Sequence, residues 1–179
     1  MILETKRLIF REFKESDFQA VHAYASDIEV VRYMEFGPNI EKDTIYFIQT
    51  QMQHQNEQPR RIFDLALIHK ADSKLIGACS IVIAHPQNKE GFIGYILNKD
   101  YWNQGYITEA AGEIIKFGFK ELRLHRIYAT CHPDNIGSYR VMDKIGMKRE
   151  GLLREDKFVR GKWRDSCIYS ILEQDTDFT

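Results

Sequence analysis

Prolines are scarce, four in 179 residues, and no stretch rich in proline, glycine or serine interrupts the chain. Without a linker, a chain of this length is expected to fold as a single domain over residues 1–179, since domains usually hold about 100 to 200 residues. Long apolar runs are missing too. No window approaches the roughly 18 consecutive apolar residues of a membrane span, and the opening MILETKRLIF lacks the apolar region and small-residue cleavage site of a secretory leader. The expectation is a cytoplasmic protein with no membrane partner. Cysteine is limited to Cys79, Cys131 and Cys167; the odd number and the lack of ligand spacing exclude a disulfide framework and a zinc site, leaving reduced core thiols. The six histidines are scattered, none paired at i, i+4 around an acidic residue, so no metal is expected. Excess charge is absent as well. At a net charge of −1 there is no general attraction to nucleic acid, and the nearest basic stretch, ELRLHRIYA, interleaves Arg123, His125 and Arg126 with apolar residues, as a strand entry with a solvated face does.

What is present is ordinary core material, 44% hydrophobic and 28% charged residues with aromatics throughout. Alternation over residues 3–13 predicts a first strand, and residues 15–26 predict a helix with Phe18, Val21 and Ala25 on one face. A second helix is expected over 41–58, with Ile45, Ile48 and Met52 repeating at helical spacing. Three short β-rich runs, 62–69, 75–84 and 91–98, are separated by the turn signals KADSK and HPQNKEG and read as a meander. Residues 106–122 place Ile107, Ala110, Ala111, Ile114 and Phe117 at helical spacing. A strand at 125–131 follows, then a helix at 134–145 stopped by Gly146, and a final strand pair turning at Arg160 and Gly161. The class is α+β with a mixed sheet.

The stretch YWNQGYITEA sets Gly105 between a strand with a short connector and the start of a helix. The first turn of a helix leaves about four backbone N–H groups unpaired, and with the helix dipole they suit an anion such as pyrophosphate. This is not a P-loop, because no Lys-Ser or Lys-Thr follows, and not a dinucleotide fingerprint, because two of three glycines are absent. Alone, it reads first as a tight strand-to-helix turn.

Three ordered segments carry more. GYILNKDYWNQGYITEA, then LHRIYATCHPDNIGSYRVMDKIGM, then KREGLLREDKFVRGKWRDSCIYSIL resemble the GNAT family of N-acetyltransferases, and within it the RimJ/RimL branch that acetylates ribosomal-protein N-termini. The resemblance spans residues 2–173. It implies a GNAT fold, a mostly antiparallel mixed sheet of about seven strands flanked by about four helices, with splayed central strands. It also implies acetyl-CoA as cosubstrate and a primary amine as acceptor. The branch loop commonly reads Trp-Gly-x-Gly-Tyr-Ala-Thr-Glu-Ala; Trp102, Gly105, Tyr106, Thr108, Glu109 and Ala110 match, Asn103 stands where the branch has glycine, and Ile107 where the wider family has glycine or alanine. By resemblance the cofactor contacts are Ile96, Leu97, Trp102, Asn103, Gln104, Gly105, Tyr106, Ile107, Thr108, Asn135 and Ser138, with an oxyanion-binding N–H near Leu97.

The implied reaction is direct attack of an amine on the thioester in a ternary complex. An alkyl amine is mostly protonated at neutral pH, so a proton must be accepted, and the departing thiol is helped by a donor. Many family members place a tyrosine four residues beyond the position of Ser138; here it is Met142, so Ser138 is the implied donor to the sulfur. The base is Glu155 or Asp156, of which strand alternation turns one toward the acceptor, or else bound water. Glu35 and Phe36, between the first two helices, are positioned to contact the acceptor, while Trp163 and Asp165 are expected to pack the end of the sheet. Three functions remain open: acetylation of a protein N-terminal α-amine, acetylation of a small amine (polyamine, amino acid or aminoglycoside), and a CoA-binding module without turnover. Monomer and homodimer are both compatible with the sequence.

Overall fold

The computed structural model describes residues 2–176. Strand β3 (Ile62–His69) turns Leu65 and Leu67 to one side and Ala66 to the other, and all three are sealed from solvent. A strand buried on both faces has to lie inside a sheet covered twice. It does. Strands β1 (Ile2–Glu4), β2 (Leu8–Arg11), β3, β4 (Lys74–His85), β5 (Glu90–Leu97), β6 (Arg126–Cys131), β7 (Lys148–Val159) and β8 (Lys162–Leu172) form one sheet in the order β1-β2-β3-β4-β5-β6-β8-β7. Every neighbouring pair is antiparallel except β5 and β6.

Helices α1 (Phe18–Ala25) and α2 (Glu41–His54) cover one face, packing Val21, Tyr24, Ala25 and Ile48 against Phe13, Ala66 and Ala78. Helices α3 (Tyr106–Lys120) and α4 (Ile136–Lys144) cover the other. There α3 buries Ala110, Ala111, Ile114 and Ile115 among Leu8, Phe10, Leu65, Leu67 and Ile81. Each large aliphatic side chain so enclosed stabilises the fold by about 1.5–3 kcal/mol. Among the described residues, no helix is long and apolar enough to cross a membrane.

The expected α+β architecture is present, with one more strand than the seven anticipated. Residues 3–13 are not one strand but the β1–β2 hairpin, in which Leu3 faces Phe10. Its turn carries no glycine or proline to announce it. The turn is held instead from the far side of the sheet, where Glu109 of α3 accepts hydrogen bonds from the Thr5 hydroxyl and the Arg7 backbone N–H.

The decisive feature for the site lies between β5 and β6. Their parallel pairing covers only Glu90, Gly91 and Phe92 opposite Arg126, Ile127 and Tyr128. Beyond Phe92, β5 stays with β4 as far as Leu97, while β6 stays with β8 as far as Cys131. A wedge opens between them. On the outer flank of the wedge β4 and β5 are pressed close: a Cβ on Gly77 would lie 2.2 Å from the Ile96 carbonyl oxygen, so only glycine fits there.

Asp64 stands on the α1 face of β3 near Tyr24, Cys79 and Glu12, and Arg60 is already committed to Glu12 through hydrogen bonds of 2.8 and 3.0 Å. Burial, aided by the Glu12 carboxylate, pushes the Asp64 carboxyl up to about 7. The native state therefore binds a proton that the unfolded chain releases near its ordinary value of 3.8, and stability falls as pH rises through that window. Asp64→Asn should remove this slope, leaving the variant more stable than the parent by up to about 4 kcal/mol at pH 8 and no more stable near pH 4. Thermal melts across that range would show it; parallel Tm profiles for the two proteins would refute it.

Candidate active site

The loop entering α3 bends through two left-handed residues, Asn103 (φ +59°) and Gly105 (φ +79°, the N-cap). A Cβ on Gly105 would meet nothing nearer than Arg7 Nη2 at 3.5 Å, so backbone conformation rather than space calls for glycine. Asparagine is among the few other residues that tolerate this region, which accounts for Asn103 at a position where the RimJ/RimL branch has glycine. The first bond of the helix runs from Glu109 N–H to Gly105 O at 3.1 Å. Ahead of it the N–H groups of Tyr106, Ile107 and Thr108 have no intrahelical acceptor and no side-chain cap. They point out of the positive end of a 15-residue helix.

This turn is braced from several sides. Trp102 Nε1 donates to Leu97 O at 2.9 Å, Gln104 Nε2 to Asp100 O at 3.1 Å, and Arg7 Nη1 to Gln104 O at 2.9 Å. The same Arg7 lies 4.2 Å over the Tyr106 ring and donates from Nε to Glu109 at 2.6 Å. Desolvation raises the Glu109 carboxyl, but the bonds from Thr5 and Arg7 outweigh it and hold the group below its usual value. It is a fixed anion one turn behind the open N–H groups.

Asn98 N–H bonds to Ile76 O at 2.8 Å across the β4 edge. Antiparallel alternation then turns the N–H and C=O groups of Tyr95 and Leu97 the other way, into the wedge. The Leu97 carbonyl is taken by Trp102; its N–H faces the opening. One long groove, of about 540 Å³, follows this edge and joins Ile96, Leu97, Trp102, Asn103, Gly105, Tyr106, Ile107 and Thr108 to Asn135 and Ser138 on the opposite wall.

Asn135 caps α4 by accepting the Ser138 N–H on Oδ1 at 3.1 Å, which places Ser138 in the first helical turn at the wedge. The Ser138 hydroxyl lies 2.8 Å from the Tyr95 hydroxyl, and Tyr95 is also 3.0 Å from Ser138 O. Burial drives the Tyr95 phenol well above its ordinary value, against the opposing pull of the Ser138 bond. Met142 is fully buried in the core. A phenol therefore does reach this region, from β5 rather than from α4. No periodicity marks Tyr95, since only the parting of β5 and β6 brings it under α4.

A second cleft, of about 820 Å³, opens on the α1 face and shares Tyr33, Met34, Tyr95, Asn135 and Ser138 with the first. Glu35, Phe36 and Asp156 all line it, while Glu155 does not. The reason is a break in register: Leu153 faces Ser166 and Lys157 faces Arg164, so residues 154–156 stand opposite a single residue. Within that bulge Glu155 takes φ +49°, its N–H is held by Asp165 Oδ1 at 2.9 Å, and its side chain is exposed. Trp163 does not pack the sheet end as anticipated; it is 60% exposed and meets the Phe158 ring at a tilt of 58°, with centroids 5.1 Å apart. The wall bearing Glu35 and Phe36 is fastened by a residue whose role the sequence did not disclose. Arg160, in the β7–β8 turn, donates to the carbonyls of Val31 (3.1 Å), Phe36 (2.6 Å) and Gly37 (2.8 Å).

The acetyltransferase (GNAT) domain family matches residues 7–148. The chain belongs to the GNAT acetyltransferases. YnaD of Bacillus subtilis, described as an uncharacterized N-acetyltransferase, is 40% identical over 98% of this chain and 99% of its own. A GNAT acetyltransferase crystal structure from Bacillus anthracis superposes with a TM-score of 0.86 at 37% identity, covering 97% of this chain and 99% of that one. RimL, a ribosomal α-N-protein acetyltransferase solved with coenzyme A, shares the fold at TM-score 0.85 and 18% identity, over 98% of this chain and 100% of that one. In this GNAT chain Cys131 also lines the second cleft, but burial pushes its thiol up to about 11. A thiol protonated at neutral pH is a poor nucleophile. Among the described residues no group of three or more His, Cys, Asp or Glu is arranged to hold a metal ion.

Removing the Arg160 clamp by Arg160→Ala should free the 31–37 wall, raising its amide exchange about tenfold while β3 and β4 stay protected. Hydrogen exchange read by mass spectrometry measures this. Unchanged exchange at 31–37 would mean that the wall holds itself.

Proposed function

We propose that this GNAT enzyme transfers the acetyl group of acetyl-CoA to the N-terminal α-amine of a polypeptide. The two clefts meet at Ser138 and Tyr95, and that meeting point carries the reading, because a donor entering along one face can there be reached by an acceptor from the other. The uncapped N–H groups of Tyr106, Ile107 and Thr108 suit the pyrophosphate. The pantetheine arm then fits the wedge beside Ile96 and Leu97, in place of the strand that β6 does not supply. This brings the thioester carbonyl to the inward N–H groups of Tyr95 and Leu97, donors for the oxyanion.

Protons balance within the site. The amine attacks the thioester carbonyl and loses a proton to water held by Asp156; the thiolate leaves and takes a proton from the Ser138 hydroxyl, which regains one from Tyr95 across 2.8 Å. The proton released by the amine returns through water to the Tyr95 oxygen, which restores the site. The products are an N-acetyl amide and free CoA thiol. Cys131, protonated, takes no covalent part. An α-amine of pKa about 8 is already partly neutral, so an exposed carboxylate and water suffice.

Charge in the acceptor cleft separates this reading from a polyamine acetyltransferase. Glu35 is paired with Lys157 at 3.3 Å, Glu90 with Arg126, and Asp165 accepts the Glu155 N–H. Asp156 alone among the lining carboxylates has neither ion pair nor hydrogen bond among the described residues. One open anion suits one ammonium, and a polycation needs several.

The test is CoA release from acetyl-CoA with N-terminal peptides, polyamines, amino acids and aminoglycosides as acceptors. Turnover is expected on peptides and lost when their N-termini are blocked; turnover confined to polyamines or aminoglycosides would sink the reading. Ser138→Ala is expected to lower kcat by about 10²-fold with little change in KM for acetyl-CoA. Tyr95→Phe should lower it about tenfold, and in the Ser138→Ala background should add almost nothing, because both act on one proton. Additive losses in the double variant would show that they act separately.

A further inference from the structure

The acceptor cleft contains two side chains of opposite charge that have no ion-pair partner among the described residues. Arg164 of β8 is partly buried and lines the cleft, yet among the described residues it has no ion pair, hydrogen bond or ring contact. The other cations of the lining are engaged: Lys157 holds Glu35, and Arg126 bridges Glu90 and Glu150. His132 is occupied too, its Nδ1 accepting the Asp134 N–H at 3.1 Å. Asp156 is the anionic counterpart, unpaired on β7.

Strand register brings the two into the same stretch of the hairpin, and both line the one cleft. Arg164 faces Lys157 across the hairpin, and Asp156 is the residue before Lys157, at the end of the bulge. They nevertheless form no ion pair with each other. A guanidinium drawn partly out of water without a partner is incompletely compensated, and its planar fork is shaped to grip a carboxylate through two parallel bonds. The Lys157–Glu35 pair leaves the fork no carboxylate on the facing wall, so one brought in by the acceptor can complete it.

We propose that the acceptor carries a carboxylate close to its reacting amine, with Arg164 reading the carboxylate while Asp156 faces the ammonium. The favoured acceptor is a polypeptide N-terminus with Asp or Glu at its first or second position. This rests on the α-amine reading above and narrows it. A free amino acid presents the same pair of charges through its α-carboxylate, and the test separates the two sources.

The experiment measures kcat/KM for acetyl transfer to a peptide series differing only at the first two positions (acidic, neutral or basic), beside free amino acids and their amides, in the full-length protein and Arg164→Gln. Acidic peptides should exceed neutral ones by about tenfold or more, and Arg164→Gln should erase that preference. The variant should leave neutral-peptide turnover and the KM for acetyl-CoA within about twofold, which excludes damage to the fold. Arg164→Glu should reverse the order and favour peptides with an early lysine. Equal turnover of acidic and neutral peptides, or an acidic preference that survives Arg164→Gln, overturns the assignment while leaving the α-amine reading intact. Efficient turnover of free amino acids but not of peptides or amides upholds the carboxylate subsite and overturns the polypeptide acceptor. No turnover on any amine overturns both.

Discussion

The early parting of β5 from β6 is the constraint on which the site depends. A sheet tolerates unpaired edge groups only where solvent or another partner satisfies them, and here the inward N–H groups of β5 are left open at the centre of the sheet rather than at its margin. Keeping the wedge open requires β5 to be held firmly elsewhere. Its pairing with β4 to the last residue, the close approach permitted by Gly77, and the Trp102 bond to Leu97 O supply that hold. The same parting puts Tyr95 beneath Ser138 and lets the clefts on the two faces of the sheet meet.

Around this opening the structure uses long-range bonds to fix segments that belong to no helix or strand. Glu109 ties the β1–β2 turn to the start of α3, and Arg160 ties the loop after α1 to the β7–β8 turn. In both cases a charged side chain serves backbone groups of a distant segment, so each wall of the site is set by a residue far from it in sequence. Hydrogen bonds to charged groups are worth about 1.5–3 kcal/mol, more than neutral ones, which suits them to this task.

Much of the architecture was legible because it follows from local periodicity. β-rich runs between turn signals marked the meander, helical spacing marked α3, and Gly105, Gly146 and Gly161 marked turns that the structure builds with positive φ. The anion-ready turn before α3 was visible for the same reason: unpaired N–H groups belong to every helix start, and Gly105 showed which start had been kept uncapped. The β1–β2 turn was hidden because its stabilising partner, Glu109, lies about a hundred residues away. The choice between Glu155 and Asp156 was hidden because alternation fails at a bulge, where residues 154–156 face one partner.

By itself the sequence determined the α+β class, the uncapped turn before α3 and the family resemblance, all of which depend on neighbours within a few residues or on the linear order of motifs. Tertiary structure alone decided which hydroxyl Ser138 meets, which of Glu155 and Asp156 lines the second cleft, and which cation there has no partner among the described residues. Those outcomes depend on where β5 leaves β6 and where β7 slips against β8. Strand register is a pairing between distant segments, and a shift of one residue reverses the face that a side chain presents.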